Sequence, residues 1–236
     1  MSDIVLLAPE DVAFPAPEAA LQHPNGLLAV GGDLTSDWLL TAYAEGIFPW
    51  YESDEGPILW WSPDPRAVLK PGGLHVSRSL AKRIRNAGFN VTMDKSFTEV
   101  VSNCAAPRRT GSGTWITPRM QSAYTQLHRL GYAHSVEVWM GEQLVGGLYG
   151  VSLGRMFFAE SMFSRERDAS KIALQYLSIQ LESWGFSLLD CQVMNEHLRS
   201  LGVTEMPRPA FLRLVRANDL AATRRGPWRL EAGDAG

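Results

Sequence analysis

Cysteine is scarce in this chain. Its 236 residues hold only Cys104 and Cys191, far apart and in unrelated contexts, which argues against a disulfide framework or a zinc knuckle. The five histidines (His23, His75, His128, His134 and His197) show no paired-ligand spacing, so no metal site is expected. No apolar run approaches the length of a membrane span, and Met1 to Leu7 carries Asp3 but no basic stretch. A soluble cytoplasmic protein with no membrane partner is the expectation. Lysine and arginine are wholly missing from residues 1–65, which hold 11 Asp or Glu. Wide phosphate contact is therefore not the business of this segment.

The cations lie further on. Residues 66–131 hold 11 Lys or Arg against 2 acids, and the remainder holds 11 against 12, for a net charge of -3. Arg78, Lys82, Arg83 and Arg85 fall at helix-compatible spacing, which suits a phosphate backbone as well as a plain solvated face. Aromatic residues crowd Gly46-Ile47-Phe48-Pro49-Trp50-Tyr51 and Ile58-Leu59-Trp60-Trp61, and Trp115 follows the cationic loop 107–113. Core packing accounts for much of this, and stacking on nucleic-acid bases is the other use of such side chains.

Read in order, residues 1–65 are loops and short elements broken by proline and glycine, with one helix over about 37–45 stopped at Gly46. The basic helix, a strand over 89–93 and a helix over 98–104 come next. Met120, Tyr124, Leu127 and Leu130 form the apolar stripe of another helix, ended by Gly131. From Ser135 the pattern is a compact sheet: strands over 136–139, 144–151 and 155–163, a long helix over 169–184 closed by Gly185, and a nearly continuous apolar strand over 186–193.

Two carboxylates sit inside these strands. Glu160 lies in Met156-Phe157-Phe158-Ala159-Glu160-Ser161-Met162-Phe163, and Asp190 in Leu188-Leu189-Asp190-Cys191-Gln192-Val193. Burying a carboxylate is costly unless it is paired, hydrogen-bonded or protonated. A structural ion pair with Arg165 or Arg167 would account for Glu160 taken alone. Strand, helix, strand implies a right-handed crossover with the two strands parallel. Alternation puts Phe158, Glu160 and Met162 on one face of the first strand, and Asp190 with Gln192 on one face of the second. Two carboxylates, an amide and a methionine then converge where ligands bind in such sheets.

Hairpin, strand, helix and strand is the order of the GCN5-related N-acetyltransferase (GNAT) superfamily. The expected class is α+β, with a small acidic, aromatic-rich N-terminal domain over 1–65 and a GNAT-like mixed-sheet catalytic domain over 66–236 that includes the basic segment 66–131. The superfamily's glycine-rich pyrophosphate loop is replaced by Ser164-Arg165-Glu166-Arg167-Asp168-Ala169. A CoA donor is disfavoured on this ground, and the basic segment nominates RNA as the acyl carrier.

The chain also resembles the bacterial leucyl/phenylalanyl-tRNA–protein transferase family over nearly its whole length. The matching stretches are Pro24-Asn25-Gly26-Leu27-Leu28-Ala29-Val30-Gly31-Gly32-Asp33-Leu34, Gly46-Ile47-Phe48-Pro49-Trp50, Trp60-Trp61-Ser62-Pro63-Asp64-Pro65-Arg66, Gly113-Thr114-Trp115-Ile116-Thr117, His134-Ser135-Val136-Glu137-Val138-Trp139, Glu160-Ser161-Met162-Phe163-Ser164 and Asp190-Cys191-Gln192-Val193. The resemblance implies transfer of Leu, Phe or, less well, Met from aminoacyl-tRNA to the α-amine of proteins beginning with Arg or Lys, marking them for N-end rule degradation. No cofactor is expected, aminoacyl-tRNA being a substrate, and a monomer is the expected state.

By the same resemblance, Asp190 polarises Gln192, and Gln192 contacts the attacking amine; an amide is a poor base, so Gln192 is read as an orienting group. The 2′-hydroxyl of the terminal ribose is the alternative proton carrier. Glu160 holds either a cationic amine or the acceptor's basic side chain. Asn195 holds the acceptor backbone, and Leu148, Phe157, Met162, Leu177 and Leu189 form the donor pocket. Trp50 and Trp115, with Tyr43 and Tyr124, line the terminal-adenosine site, and Arg78, Lys82, Arg83 and Arg85 contact the tRNA. Leu148 and Leu177 stand where the family often has Met and Phe, which leaves the ranking of Leu and Phe open. A tRNA-dependent ligase of cell-wall precursors and a non-enzymatic RNA-binding protein are the competing readings. Only the latter is indifferent to Asp190 and Gln192.

Overall fold

The computed structural model describes residues 4–107 and 115–231. The cationic loop anticipated over 107–113 falls almost wholly outside the described residues. Two sheets divide the chain near residue 65. The smaller, expected only as loops and short elements, has four strands: β1 (Val5–Leu7), β2 (Leu27–Gly31), β3 (Phe48–Pro49) and β4 (Leu59–Trp61), in the order β1-β2-β4-β3. Between β2 and β3 lies α1 (Ser36–Ala44), whose Thr35 side chain caps it by accepting from Trp38 N–H. Gly46 turns the chain away at φ +75°, a conformation that favours glycine.

The larger sheet begins with β5 (Arg66–Leu69), followed by α2 (Arg78–Asn86), β6 (Asn90–Met93), α3 (Phe97–Ala105) and α4 (Pro118–Arg129). Next come β7 (Ala133–Met140), β8 (Gln143–Leu153), β9 (Met156–Ser164), α5 (Ala169–Ser183), β10 (Leu188–Gln192), α6 (Glu196–Ser200), β11 (Thr204–Met206) and α7 (Arg208–Arg216). The strand order is β11-β5-β10-β9-β8-β7-β6, and β9 and β10 run parallel as their strand-helix-strand order requires. Strand β5 thus sits beside β10, so the segment read as basic also supplies an inner strand of the sheet. Among the described residues, no helix is long and apolar enough to cross a membrane.

Each face of the large sheet carries its own core. On one, Val136, Leu148, Phe157 and Leu189 pack with Ile172, Leu177 and Leu181 of α5 and Leu80 of α2. On the other, Tyr149, Phe158 and Leu188 pack with α1, α3, α4, α7 and the small sheet through Trp38, Tyr43, Val100, Tyr124, Trp60 and Phe211. Because that second core is continuous across residue 65, the acidic segment is bound to the large sheet by shared burial.

Strict alternation along β9 fails at its functional residue. Ala159 pairs with Gly150 and Ser161 with Tyr149, so Glu160 is an extra residue in a bulge. A Cβ on Gly150 would collide with the Phe158 carbonyl oxygen, so only glycine fits opposite it. Met162 consequently pairs with Leu148 and packs on the α5 side, away from Phe158 and Glu160, contrary to the single shared face anticipated for these three residues.

Candidate active site

Asp190 and Gln192 end β10, beside the bulge of β9. Asp190 is fully buried and so is its partner, Arg66. The guanidinium donates from Nε to Oδ1 at 2.8 Å and from Nη2 to Oδ2 at 2.6 Å, and its Nη1 donates to the Gly46 carbonyl at 3.0 Å. The rings of Phe48 and Phe211 lie 4.8 and 4.5 Å from the guanidinium carbon. A two-pronged pair of this kind is fixed in direction as well as charge, and removing either member costs about 3–5 kcal/mol. Asp190 Oδ1 also accepts the Gln192 backbone N–H at 2.8 Å. This bond closes a turn in which Gln192 takes φ +63°, unusual for a residue with a Cβ. Asp190 therefore meets Gln192 through the backbone, not through the side-chain amide that it was expected to polarise.

The amide of Gln192 is aimed at Glu160, its Nε2 donating to Oε1 at 2.7 Å. The same oxygen accepts from the Tyr43 hydroxyl at 2.7 Å, and Oε2 accepts from the Tyr124 hydroxyl at 2.8 Å. Every one of these donors is neutral. Burial lifts the Glu160 pKa from 4.5 to about 7, with the Asp190 charge adding to the rise, while the hydroxyls and the amide pull the other way. The structural ion pair with Arg165 or Arg167 is not formed: Arg165 bonds Asn103, and Arg167 pairs with Asp168.

Glu160 and Gln192 open into a cavity of about 220 Å³. Leu148, Met162, Leu174 and Leu198 supply apolar wall, and Trp50, 41 % exposed, and half-buried Trp115 line it as well. Asn195 is also in the lining; its Oδ1 caps α6 by accepting from Leu198 N–H at 2.8 Å, which leaves Nδ2 to point elsewhere. Three residues expected in the donor pocket lie behind it: Phe157, Leu177 and Leu189 are fully buried in the α5-side core. Leu174, one turn before Leu177, holds the wall instead. Tyr43 and Tyr124 do not line the cavity as the adenosine-site reading placed them; both are fully buried beneath Glu160.

Arg66 and Leu198 were missed as well. Arg66 carried a legible signal, since it opens the apolar run Arg66-Ala67-Val68-Leu69, and a charge within such a run also drew attention to Glu160. On α2, Arg78, Lys82 and Arg85 are exposed, but Arg83 is half-buried. It donates to the Arg167 carbonyl at 2.9 Å and lies over the Phe89 ring at 5.4 Å. Among the described residues, no cluster of His, Cys, Asp and Glu could hold a metal ion.

The family model described as leucyl/phenylalanyl-tRNA protein transferase matches residues 68–216, and the model of that family's N-terminal domain matches 32–64. The chain belongs to this family. It is 58% identical over 228 residues to the leucyl/phenylalanyl-tRNA–protein transferase of Anaeromyxobacter sp. (strain Fw109-5), covering 96% of this chain and 95% of that one. The transferase of the same name from Thiobacillus denitrificans is 55% identical over 220 residues, covering 93% and 96%. The protein is thus an aminoacyltransferase. Among solved structures, a GCN5-related N-acetyltransferase from Kribbella flavida is similar at TM-score 0.38 and 12% identity, covering 70% of this chain and 58% of that one; a likeness that slight carries no argument.

Proposed function

We propose that this protein transfers Leu or Phe, and Met less well, from aminoacyl-tRNA to the α-amine of proteins beginning with Arg or Lys, marking them for N-end rule degradation. The observation that carries this reading is one cavity with an apolar wall at Leu148, Met162, Leu174 and Leu198 and a polar end at Glu160 and Gln192. The apolar wall suits a donor side chain that is apolar and unbranched at Cβ, as those of Leu, Phe and Met are. Trp50 and Trp115 offer rings against the terminal adenosine of the tRNA, and Arg78, Lys82 and Arg85 offer exposed charge to its backbone.

The donor ester is already activated, so the enzyme has to orient a neutral amine and support a tetrahedral intermediate. With Nε2 of Gln192 committed to Glu160, its Oε1 is left to accept an N–H of the attacking amine and aim the nitrogen lone pair. Arg66 and Asp190 hold the Gln192 backbone in the conformation that places this amide. Asn195 Nδ2, not used in the helix cap, can donate to the first carbonyl of the acceptor, and the Glu160 carboxylate favours a cationic acceptor over a neutral one.

The test is transfer of label from Leu-tRNA to matched peptides beginning with Arg, Lys or Ala. Label on the Arg and Lys peptides but not on the Ala peptide is expected. Equal labelling of all three would remove the acceptor specificity, and no labelling at all would remove the reaction.

A further inference from the structure

Glu160, Tyr43 and Tyr124 form a closed ring of short oxygen contacts. Tyr43 hydroxyl to Glu160 Oε1 is 2.7 Å, Tyr124 hydroxyl to Oε2 is 2.8 Å, and the two hydroxyls are 2.7 Å apart. A hydrogen bond needs a hydrogen between its oxygens, and the two phenols bring only two. With Glu160 ionised, one of the three contacts is left as a bare approach of two oxygens. A third proton on the carboxyl closes the ring: Oε2–H donates to Tyr124, Tyr124 donates to Tyr43, and Tyr43 donates to Oε1. The geometry therefore has three places for protons and is complete only when Glu160 carries one.

Resting on the transfer reaction proposed above, we infer that Glu160 is the proton acceptor for the incoming ammonium, and that Tyr43 and Tyr124 are positioning residues that house the proton once it is taken. In the ionised state Oε1 accepts two bonds, from Tyr43 and Gln192, and Oε2 only one, so Oε2 has the free lone pair. The acceptor's ammonium gives one proton to Oε2 and becomes a neutral amine. Its nitrogen then bonds to the ester carbonyl carbon while Gln192 Oε1 holds an N–H. As the bond from that carbon to the ribose 3′ oxygen breaks, the proton that nitrogen must shed passes to the departing oxygen. The products are an amide, a free 3′-hydroxyl and one proton on Glu160, which returns to solvent when they leave.

The groups facing Glu160 come from every neighbouring element. They are Tyr43 from α1, Tyr124 from α4, Tyr149 from β8 with its hydroxyl unpartnered, and Gln192 and Asp190 from β10, the latter neutralised by Arg66 of β5. Among the described residues, none of the groups facing Glu160 is an unpaired cation that would hold it ionised. A carboxyl with a pKa of about 7 is matched to an α-amine whose ordinary value is near 8, as efficient proton transfer requires.

The experiment is single-turnover transfer from Leu-tRNA to an Arg-leading peptide, from about pH 6 to about pH 8.5, in wild type, Glu160→Gln, Tyr43→Phe and Tyr124→Phe. Wild type should lose rate about tenfold per unit as pH falls below about 7. Glu160→Gln keeps the ring closed, since its amide N–H replaces the acid proton, yet it should transfer at least about 100-fold more slowly, and its acidic limb should move from about 7 to about 8, where the amine loses its own proton. Each Tyr→Phe variant removes a donor to the carboxylate, so its acidic limb should move to higher pH and its rate recover there, an outcome that simple loss of packing would not give. A wild type that transfers with a flat profile, limbs that stay in place in both Phe variants, or wild-type rate in Glu160→Gln would each overturn the proton role and leave the reaction standing. No transfer at any pH in wild type would overturn both.

Discussion

Glu160 and Asp190 are buried carboxylates on adjacent parallel strands, yet their surroundings differ in kind. Asp190 is held by a buried guanidinium in a two-pronged pair, with phenylalanine rings beside it. Glu160 is held by two phenols and an amide, all neutral, in a bulge at a cavity. A charge met by a charge is fixed and serves to shape backbone, here the left-handed turn at Gln192. A carboxylate met only by neutral donors stays close to the balance between its two forms, and that is the condition for moving a proton near neutrality. The α2 cations repeat the contrast: Arg83 is tied down by its neighbours, whereas Arg78, Lys82 and Arg85 stand free in solvent.

The contrast is broken most forcefully at Arg66. Arg66→Met leaves Asp190 buried and unpaired, and denaturant unfolding should show a loss of about 3–5 kcal/mol. Arg66→Met with Asp190→Leu should regain most of that stability while transfer stays lost, because Gln192 is no longer held. Recovery of activity in the double variant would mean that the pair does not position the amide.

Glu160 should give the next largest effect, and with the opposite sign. Its folded pKa is raised from 4.5 to about 7, so the fold favours the neutral acid. That contribution is whole below the unfolded value and is lost as pH rises through about 7. Wild type should therefore lose of order 3 kcal/mol relative to Glu160→Gln between about pH 4.5 and 8, read from unfolding curves at each pH. Parallel pH dependences in the two proteins would mean that the fold does not favour the neutral form of Glu160.

On α2, charge reversal at Arg78, Lys82 or Arg85 should weaken tRNA binding several-fold and lower the slope of log affinity against log salt by about 1 for each phosphate no longer neutralised. Arg83→Glu should change that slope least and lower stability more, since its bonding partners are internal. The smallest effect is expected at the apolar wall. Leu174→Ala should alter the ratio of Phe to Leu transfer by about 10-fold or less, the worth of a few methylenes in a pocket, whereas Leu177→Ala, behind the wall, should act chiefly through stability.

Elements governed by local pattern were legible in the sequence. Apolar runs bounded by glycine marked β8, β9 and α5, and strand-helix-strand order fixed β9 and β10 as parallel. Pairings between distant residues were not. Arg66 lies 124 positions from Asp190, and Tyr43 lies 117 from Glu160, so no periodicity links them. The bulge at Glu160 depends on what Gly150 faces across the sheet, and it moved Met162 to the other side. The short strands of residues 1–65 pair at single registers that proline-rich sequence conceals, and β5, β11 and α6 carry too few residues to show a period.

The difference between the two carboxylates is most directly open to a carboxyl carbon-13 NMR titration of glutamate-labelled protein, with the Glu160 resonance assigned by its disappearance in Glu160→Gln. A midpoint near 7 is expected, shared with small shifts in the Tyr43 and Tyr124 ring signals as the third proton enters the ring. A midpoint in the ordinary glutamate range near 4.5 would contradict it, and would leave Glu160 no more able than a solvent carboxylate to take a proton near neutrality.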